Sequence, residues 1–252
     1  MGALLKKNWK KDVETVRLDK LLANMGYGTR KEVKKLCKSG AVKVDGEPVK
    51  DSSIHVNPDT QEVEIYGEII QYREFVYLMM NKPQGVISAT EDLVEETVVD
   101  LLDPEFYTFD VFPVGRLDKD TEGLLLLTND GKLAHELLSP KKHVPKRYFA
   151  RIEGRVTEAD GAAFRAGVTL DDGYKTLPAE LTILSQGSVS EIELVIYEGK
   201  YHQVKRMFEA VGKKVVYLKR IAMGALQLDE ALEPGEYREL TEAEVELLRE
   251  KV

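Results

Sequence analysis

The sequence predicts an α+β protein of two domains. Two short amphipathic segments with helix caps occur before residue 40, and a hairpin pattern follows them. Beyond residue 75, apolar strand-like segments are mixed with dispersed helical ones, which is typical of a sheet packed against helices. Residues 67–74 show neither pattern and are interpreted as a linker. The predicted domains span residues 16–66 and 75–252.

The composition is that of a globular protein. The chain has 252 residues, of which 43% are hydrophobic, and this is enough for a core. The single cysteine, Cys37, excludes an internal disulfide and a multi-cysteine zinc site. No apolar run approaches the roughly 20 residues needed to span a bilayer, and Met1–Thr15 lacks a signal-peptide pattern. We therefore expect a cytoplasmic protein without a membrane partner.

Charge is distributed unevenly along the chain. The net charge is −8, from 36 Lys and Arg against 44 Asp and Glu. Residues 1–56 hold 13 basic and 7 acidic residues (+6), whereas the other residues hold 23 and 37 (−14). A basic excess at one end indicates a module there that binds phosphate groups.

The N-terminal domain is predicted to contain two helices and a hairpin. The first helix covers Val16–Met25, with Gly26 as its end. The second begins at the capping box formed by Thr29 and Glu32 and runs to about Ser39. An Asp-Gly pair at residues 45–46 then predicts a tight hairpin. The outer face of the second helix is basic, with Arg30, Lys31, Lys34, Lys35 and Lys38.

The larger domain is predicted to contain more strands than helices. Strands are expected over Phe75–Met80, Thr108–Val114, Gly123–Thr128, Lys146–Glu153, Ala179–Leu184 and Glu191–Tyr197. Helices are expected over Val98–Leu102, Lys132–Leu138, Thr157–Gly167, His202–Val211 and Thr241–Val252. Residues 1–15 precede the first recognisable element.

The segment Gly115–Gly131 combines a charged cluster with a run of four leucines. The leucines, at residues 124–127, are explained by a buried strand. Folding does not require the charged side chains of residues 116–122, although Gly- and Asp-rich segments also form ordinary turns. On the residues alone, a charged turn and a functional loop both fit.

Four segments resemble the motifs of the RNA pseudouridine synthases that act on ribosomal RNA. The first is Gly115–Gly131, and Lys146-Arg147-Tyr148 resembles the Lys-x-Tyr motif of that family. Glu198–Met207 is similar to the third motif, and Leu218–Gly224 to the closing one. The N-terminal helices and hairpin resemble the small RNA-binding domain first described in ribosomal protein S4. The resemblance extends over residues 16–240.

This resemblance implies a fold and a reaction. The fold would be a pseudouridine synthase domain with a mixed, mainly antiparallel sheet flanked by helices, preceded by the S4-type domain. The reaction breaks the glycosidic bond of a uridine, rotates the uracil, and joins its carbon 5 to the ribose. Neither a redox cofactor nor a metal is required, and none is expected.

The resemblance also implies roles for particular residues. Asp118 would be the catalytic carboxylate, while Asp120 would belong to the turn. Arg116 would hold the flipped-out nucleotide or fill its vacated place, and Tyr148 would pack on the target uracil. The cation that keeps Asp118 ionised would be Lys205, with the adjacent Arg206 as the alternative. The residues expected to contact RNA are Arg17, Arg30, Lys31, Lys34, Lys35, Lys38, Lys146, His202, Arg206 and Arg220.

The expected partner is ribosomal RNA. Residues 201–207 read Tyr-His-Gln-Val-Lys-Arg-Met and resemble the members of the family that act on the small subunit. This predicts a single uridine of 16S RNA, within a pre-ribosomal particle, as the substrate of a monomeric enzyme. Large-subunit 23S RNA and a non-catalytic role in ribosome assembly stay open as alternatives. A glycosidase with two carboxylates would leave the basic N-terminal module unexplained.

Overall fold

A computed structural model describes residues 15–70 and 72–250 of the chain. The chain forms two compact units, Met1–Glu74 and Phe75–Val252. Helices accompany a mixed, mainly antiparallel sheet, so the predicted α+β class is confirmed. The domain limits 16–66 and 75–252 stay predictions.

The N-terminal unit has its own small core and sheet. Two helices are followed by a sheet of order β3-β2-β5-β6, and β1 pairs with β4. Buried residues of both helices and of the sheet pack together, among them Leu21, Val33 and Ile65. The elements are β1 Val16–Arg17, α1 Leu18–Asn24, α2 Arg30–Lys38, β2 Val42–Val44, β3 Glu47–Pro48, β4 His55–Val56, β5 Val63–Ile65 and β6 Glu68–Ile69.

Local sequence signals explain most of this unit. The Thr29 side chain accepts from the backbone of Glu32, whose carboxylate accepts from the Thr29 backbone, so the predicted capping box is confirmed. Asp45 and Gly46 form the hairpin turn with φ values of 52° and 81°. Two predictions need correction. The first two residues of the predicted first helix form β1, because they pair with β4. The predicted linker contains β6, which pairs with β5.

The second unit is built on a nine-stranded sheet. Its main path is β11-β12-β10-β13-β9-β7-β15, with β14 paired to β13 and β8 to β9. The strands are β7 Tyr77–Lys82, β8 Phe112–Pro113, β9 Glu122–Thr128, β10 Lys146–Glu153, β11 Glu180–Ser185, β12 Val189–Ile196, β13 Lys214–Met223, β14 Leu226–Gln227 and β15 Tyr237–Glu239. The helices are α3 Gly131–Leu138, α4 Glu158–Ala166, α5 Gln203–Glu209 and α6 Glu242–Glu250.

The leucine run on β9 lies at the centre of this sheet. Leu125 and Leu127 belong to the core on one face, and Leu124 and Leu126 to the core on the other. A strand buried on both faces is expected to be continuously apolar rather than alternating. β9 also pairs with β13 in parallel, whereas the other strand pairs are antiparallel. The loop that precedes β9 is thereby fixed beside β13.

Some predictions for the second unit are wrong. Residues 98–102 form a turn rather than a helix. The strand predicted over Thr108–Val114 is reduced to β8, because a 3₁₀ helix, Pro104–Phe109, begins at the proline and ends at Asp110 with φ 51°. The ten-residue strand β13, which carries the Leu218–Gly224 motif, was not predicted as a strand. Residues 1–14 and 251–252 lie outside the described residues. No helix within residues 15–70 and 72–250 is long and apolar enough to cross a bilayer.

Candidate active site

A cavity of about 940 Å³ opens on the second unit. Its walls come from the loop 115–121, strands β10 and β13, and residues 196–205. All four predicted catalytic residues line it: Arg116, Asp118, Tyr148 and Lys205. Ligand pockets typically measure about 300–1,000 Å³, so this cavity has room for a nucleotide.

The loop 115–121 is fixed to the fold by a buried lysine. Lys82 lies at the end of β7 and is fully buried. Its Nζ donates to the carbonyl oxygens of Pro83 at 2.9 Å, Asp118 at 3.1 Å and Thr121 at 3.1 Å. A longer contact of 3.5 Å reaches the carbonyl of Lys119. Burial lowers the pKa of Lys82 to about 8, although three nearby carboxylates act in the opposite direction.

Further hydrogen bonds hold the same loop. The Ser88 hydroxyl accepts from the backbone N–H of Leu117 and donates to its carbonyl, both at 3.0 Å. The N–H of Gly85 donates to the carbonyl of Lys119 at 2.8 Å. Since both sides of Asp118 are fixed through the backbone, its carboxylate is presented in one position. Such preorganisation is what a catalytic group needs.

Asp118 lies beside Lys205. Its Oδ2 is 2.9 Å from Nζ of Lys205, and its Oδ1 is 3.6 Å from Nε2 of His202. The second distance is too long for a hydrogen bond. The Asp118 side chain is 26% exposed, so it is accessible from the cavity. Lys205 also contacts Oδ1 of Asp120 at 2.6 Å.

Lys205 therefore bridges two carboxylates. Burial alone would lower the pKa of Lys205, but hydrogen bonds to Asp120 and Asp118 raise it above its usual value. Burial alone would raise the pKa of Asp120, but the hydrogen bond and the charge of Lys205 lower it. Asp120 lies in the turn as expected, but spacing along the chain did not reveal that it shares this lysine.

Arg206 is not the cation beside Asp118. Its Nε lies 2.6 Å from Oδ1 of Asp171, and its Nη2 lies 2.7 Å from Oδ2 of Asp172. Its Nη1 donates to the carbonyl of Tyr201 at 3.2 Å. Adjacent residues on a helix point about 100° apart, which separates the two side chains. Arg206 pairs with two exposed carboxylates, and its contact with RNA stays a prediction.

Lys146 and Arg220 were predicted to contact RNA, and this stays a prediction. Lys146 is 8% exposed and Arg220 is 2% exposed, and both line the cavity. Tyr148 is 7% exposed and lies directly opposite Arg220 in the β10–β13 pairing. The cavity therefore contains an aromatic ring and two cations in its interior.

The cavity rim carries His202 and Tyr201. Their rings stack with centroids 3.8 Å apart, and Tyr201 is 75% exposed. His202 has a left-handed backbone, with φ 48°, where α5 begins. Arg116 is exposed on the cavity wall and forms no hydrogen bond or ion pair with residues 15–70 or 72–250. These positions agree with RNA contact, and the roles of His202 and Arg116 stay predictions.

The predicted basic surface of the N-terminal unit is present on α2. Arg17 differs from the α2 residues, because its guanidinium pairs with Asp19 at 2.7 Å. The helix residues predicted to contact RNA are all exposed: Arg30, Lys31, Lys34, Lys35 and Lys38.

Sequence reasoning missed Lys82, Ser88 and Tyr201 as parts of the site. The one available signal was Lys82, a charged residue that ends an apolar strand and precedes a proline. Ser88 carries no comparable signal, because its partner Leu117 becomes a neighbour only in the fold. Within the described part of the chain, no three His, Cys, Asp or Glu side chains converge to hold a metal ion.

The sequence profile of RNA pseudouridylate synthases matches residues 76–210, which is more than half of the chain. The chain belongs to the RNA pseudouridine synthase family. A second profile, that of the S4 domain, matches residues 16–61. The predicted resemblance and the predicted enzyme class, an RNA isomerase, are thereby confirmed.

Several relatives match this RNA pseudouridine synthase over nearly its whole length. An uncharacterized RNA pseudouridine synthase of Bacillus subtilis, YtzG, is 62% identical and covers 93% of this chain and 99% of its own. Ribosomal small subunit pseudouridine synthase A of Vibrio cholerae is 44% identical, with coverages of 91% and 98%. Ribosomal large subunit pseudouridine synthase B of Bacillus subtilis is 40% identical, with coverages of 92% and 95%.

The fold of the synthase is also similar to a solved one. A crystal structure of a pseudouridylate synthase has 40% sequence identity and a TM-score of 0.65, and covers 92% of this chain and 99% of its own. The family establishes an RNA substrate and pseudouridine formation. Because relatives named for either ribosomal subunit are similar to this chain, the choice of subunit is a matter for proposal.

Proposed function

We propose that this synthase converts one uridine of 16S ribosomal RNA to pseudouridine, with Asp118 as its catalytic carboxylate. One observation carries the proposal. A rigid loop places Asp118 on the wall of a nucleotide-sized cavity, with Lys205 at 2.9 Å. A carboxylate in this position can act on the sugar or the base of an extruded nucleotide.

Each residue of the site has a role in this proposal. Asp118 attacks the ribose, attacks the uracil ring, or takes a proton from the sugar, and each route requires an ionised carboxylate. Lys205 maintains that charge. Tyr148 supports the uracil by stacking, and Arg116 contacts the extruded nucleotide or fills the place that it leaves.

The proposed target within ribosomal RNA rests on the third motif. Residues 201–207 resemble the small-subunit enzymes, and the 44% identity to a small-subunit synthase supports the same choice. The substrate would be 16S RNA in a pre-ribosomal particle, and the enzyme would act as a monomer in the cytoplasm. The 40% identity to a large-subunit synthase makes 23S RNA the second candidate.

Replacing Asp118 tests the proposed chemistry. We expect Asp118→Asn to abolish isomerisation while RNA binding is retained, because the change removes a charge and keeps the size of the side chain. The measurement is tritium release from RNA labelled at carbon 5 of uridine. Asp120→Asn is the matched control, since Asp120 shares Lys205, and it should keep activity within about tenfold. Activity that survives in Asp118→Asn would contradict the assignment.

Mapping pseudouridines in a strain lacking this protein tests the target. The proposal expects one pseudouridine to disappear from 16S RNA and to return when the wild-type gene is restored. Loss from 23S RNA alone would identify a large-subunit enzyme. Unchanged maps in both RNAs, together with impaired subunit assembly, would favour the non-catalytic alternative.

A further inference from the structure

Two buried cations in the cavity have no acidic partner among the residues that the structure describes. Neither Lys146 nor Arg220 forms an ion pair with any residue in the described ranges. Nε of Arg220 donates to the carbonyl of Leu124 at 2.8 Å, but its buried Nη2 has no hydrogen-bond partner in the described part of the chain. Nζ of Lys146 donates to the carbonyl of Val144 at 3.1 Å. Most N–H donors of Lys146 and Arg220 therefore have no acceptor within the described residues.

Folding alone does not account for this pair. A buried cation is unfavourable unless it is paired or fully hydrogen-bonded. Burial lowers the pKa of Lys146 to about 8, and the nearby charge of Arg220 acts in the same direction. Unfavourable charge arrangements of this kind are concentrated at functional sites. The two cations are therefore expected to serve a ligand that enters the cavity.

The depth of the pair limits which part of an RNA can reach it. The RNA backbone continues on both sides of the target nucleotide, so its phosphates stay near the mouth of the cavity. The extruded base is the part that enters the interior. A uracil stacked on Tyr148 would have an edge next to Arg220, because these residues are opposite each other on β10 and β13. Uracil offers two carbonyl acceptors, and Arg and Lys side chains offer only donors.

We propose that Lys146 and Arg220 bind the carbonyl oxygens of the target uracil and stabilise it as the departing anion. This inference rests on the proposed function. When the bond between C1′ and N1 breaks, its electron pair leaves with the uracil and spreads from N1 to O2 and O4. After the uracil rotates, the pair forms the bond from carbon 5 to C1′. The proton on carbon 5 is then released and N1 takes up a proton, so the product is an isomer of the substrate. Donors that meet charge as it develops lower the barrier of such a step.

The same pair distinguishes uridine from cytidine. Cytosine carries an amino group at carbon 4 where uracil has a carbonyl. That amino group is itself a donor, so it would face Lys146 or Arg220 without an acceptor. A site built around donors rejects a ligand that leaves them unpaired.

Kinetics of Lys146→Met and Arg220→Met test the proposal on the RNA that carries the mapped uridine. We expect kcat to fall by about 10²–10³-fold, as when one donor to a developing oxyanion is removed. Arg147→Met is the matched control, since Arg147 is exposed and pairs with Glu193, and it should keep wild-type activity. In RNA with 5-fluorouridine at the target, the base leaves more easily, so consumption of that nucleotide should show a smaller defect. An equal defect on both RNAs would overturn the proposal.

The Tm of Lys146→Met distinguishes a role in ligand binding from a structural role. Removing one charge from an unpaired cationic pair should leave the Tm of Lys146→Met equal to or above that of the wild type. A lower Tm, in proportion to the lost activity, would mean that Lys146 is structural and would overturn its role. This measurement remains decisive if Arg220→Met fails to fold.

Binding of small probes separates the base from the phosphate as the ligand. The proposal expects uridine monophosphate to bind more tightly than cytidine monophosphate or ribose 5-phosphate, and expects Lys146→Met to remove the difference. Equal binding of uridine monophosphate and ribose 5-phosphate would assign the pair to phosphate and overturn the proposal. If Asp118→Asn stays active, the proposed function fails. If Asp118 is essential but both Met variants are fully active, only the inference about the cations fails.

Discussion

Lys82 and Lys146 are two buried lysines that differ in the number of acceptors around their Nζ atoms. Burial lowers the pKa of each to about 8. The Nζ of Lys82 is within hydrogen-bonding distance of four carbonyl oxygens, and that of Lys146 is bonded to one. A satisfied buried ammonium ties segments of chain together, whereas an unsatisfied one remains available to a ligand. The number of acceptors therefore distinguishes the two roles.

Lys82→Met is expected to destabilise the second unit and to reduce activity. The substitution removes the Lys82 donor from the carbonyls of Pro83 and Thr121, while the carbonyl of Asp118 keeps the N–H of Thr121. Each unsatisfied buried acceptor costs about 1–3 kcal/mol. We expect a total loss of about 2–6 kcal/mol in urea unfolding, with lower kcat because the Asp118 loop loosens. Unchanged unfolding would contradict the role assigned to Lys82.

The size of this loss should depend on pH. Lys82 has a pKa of about 8 when folded and 10.5 as its ordinary value, so between these pH values the unfolded chain binds more protons. The wild-type free energy of unfolding therefore gains a contribution that rises from about pH 8 to pH 10.5 and is constant below pH 8. Lys82→Met lacks this contribution, so the difference between the two proteins should grow over the same interval.

Sequence patterns could predict much of the site, but not its supports. Asp118, Tyr148 and Lys205 were placed by motifs and do line one cavity. The bridging contact of Lys205 with Asp120 and the burial of Arg220 depend on which strands become neighbours. Tertiary packing decides which strands become neighbours, and the local spacing of residues along the chain does not reveal it.

At the scale of elements, the parallel pairing of β9 with β13 is the feature that positions the loop of Asp118. Gly123 makes this approach possible. It has φ 102°, and a Cβ there would lie 2.2 Å from the backbone oxygen of Arg220. Any larger residue must push the two strands apart.

Gly123→Ala should therefore cost about 3–5 kcal/mol, from backbone strain and forced separation of the strands. The measurement is the Tm, with activity as a second readout. Gly131→Ala is the control, since a Cβ added there meets no more distant part of the described chain within 4 Å and Gly131 begins α3. The control should be neutral or slightly stabilising. Equal Tm values for the two variants would refute the close-approach argument.

Elements with strong local patterns were predicted well. β10 matches the predicted range Lys146–Glu153, because its buried and less buried side chains alternate along the strand. The failures have tertiary causes. Residues 98–102 are apolar enough for a helix but form a turn against the core. β13 mixes two lysines, an arginine and one tyrosine with apolar residues, so its sequence shows no clean alternation until its partners are known.

At the scale of the whole molecule, the predicted RNA-binding surface and the catalytic cavity belong to different units. The exposed lysines of α2 belong to one unit, and the cavity belongs to the other. Contacts between lysines and phosphates release counterions, which makes RNA affinity depend on salt. Affinity and turnover should therefore be separable by mutation.

The triple variant Lys31→Gln, Lys34→Gln, Lys38→Gln tests this separation. We expect weaker RNA binding and a log–log salt slope that is shallower by about 2–3, with kcat at saturating RNA unchanged. The control replaces three exposed lysines of the other unit, Lys132, Lys175 and Lys214, by Gln. A slope that changes equally in both variants would mean that α2 has no special role.

The order of strands in the large sheet has a consequence for synthesis on the ribosome. β9 needs β13 as its parallel neighbour, and β7 needs β15 at the edge of the sheet. A nascent chain that has just emerged as far as Asp118 still lacks Lys205, Arg220 and both of these strands. Contacts so distant in sequence form late. Polypeptides cut short by premature termination before β13 would thus carry the aspartate motif without a working centre, so activity in a cell reports chains that were translated beyond β13.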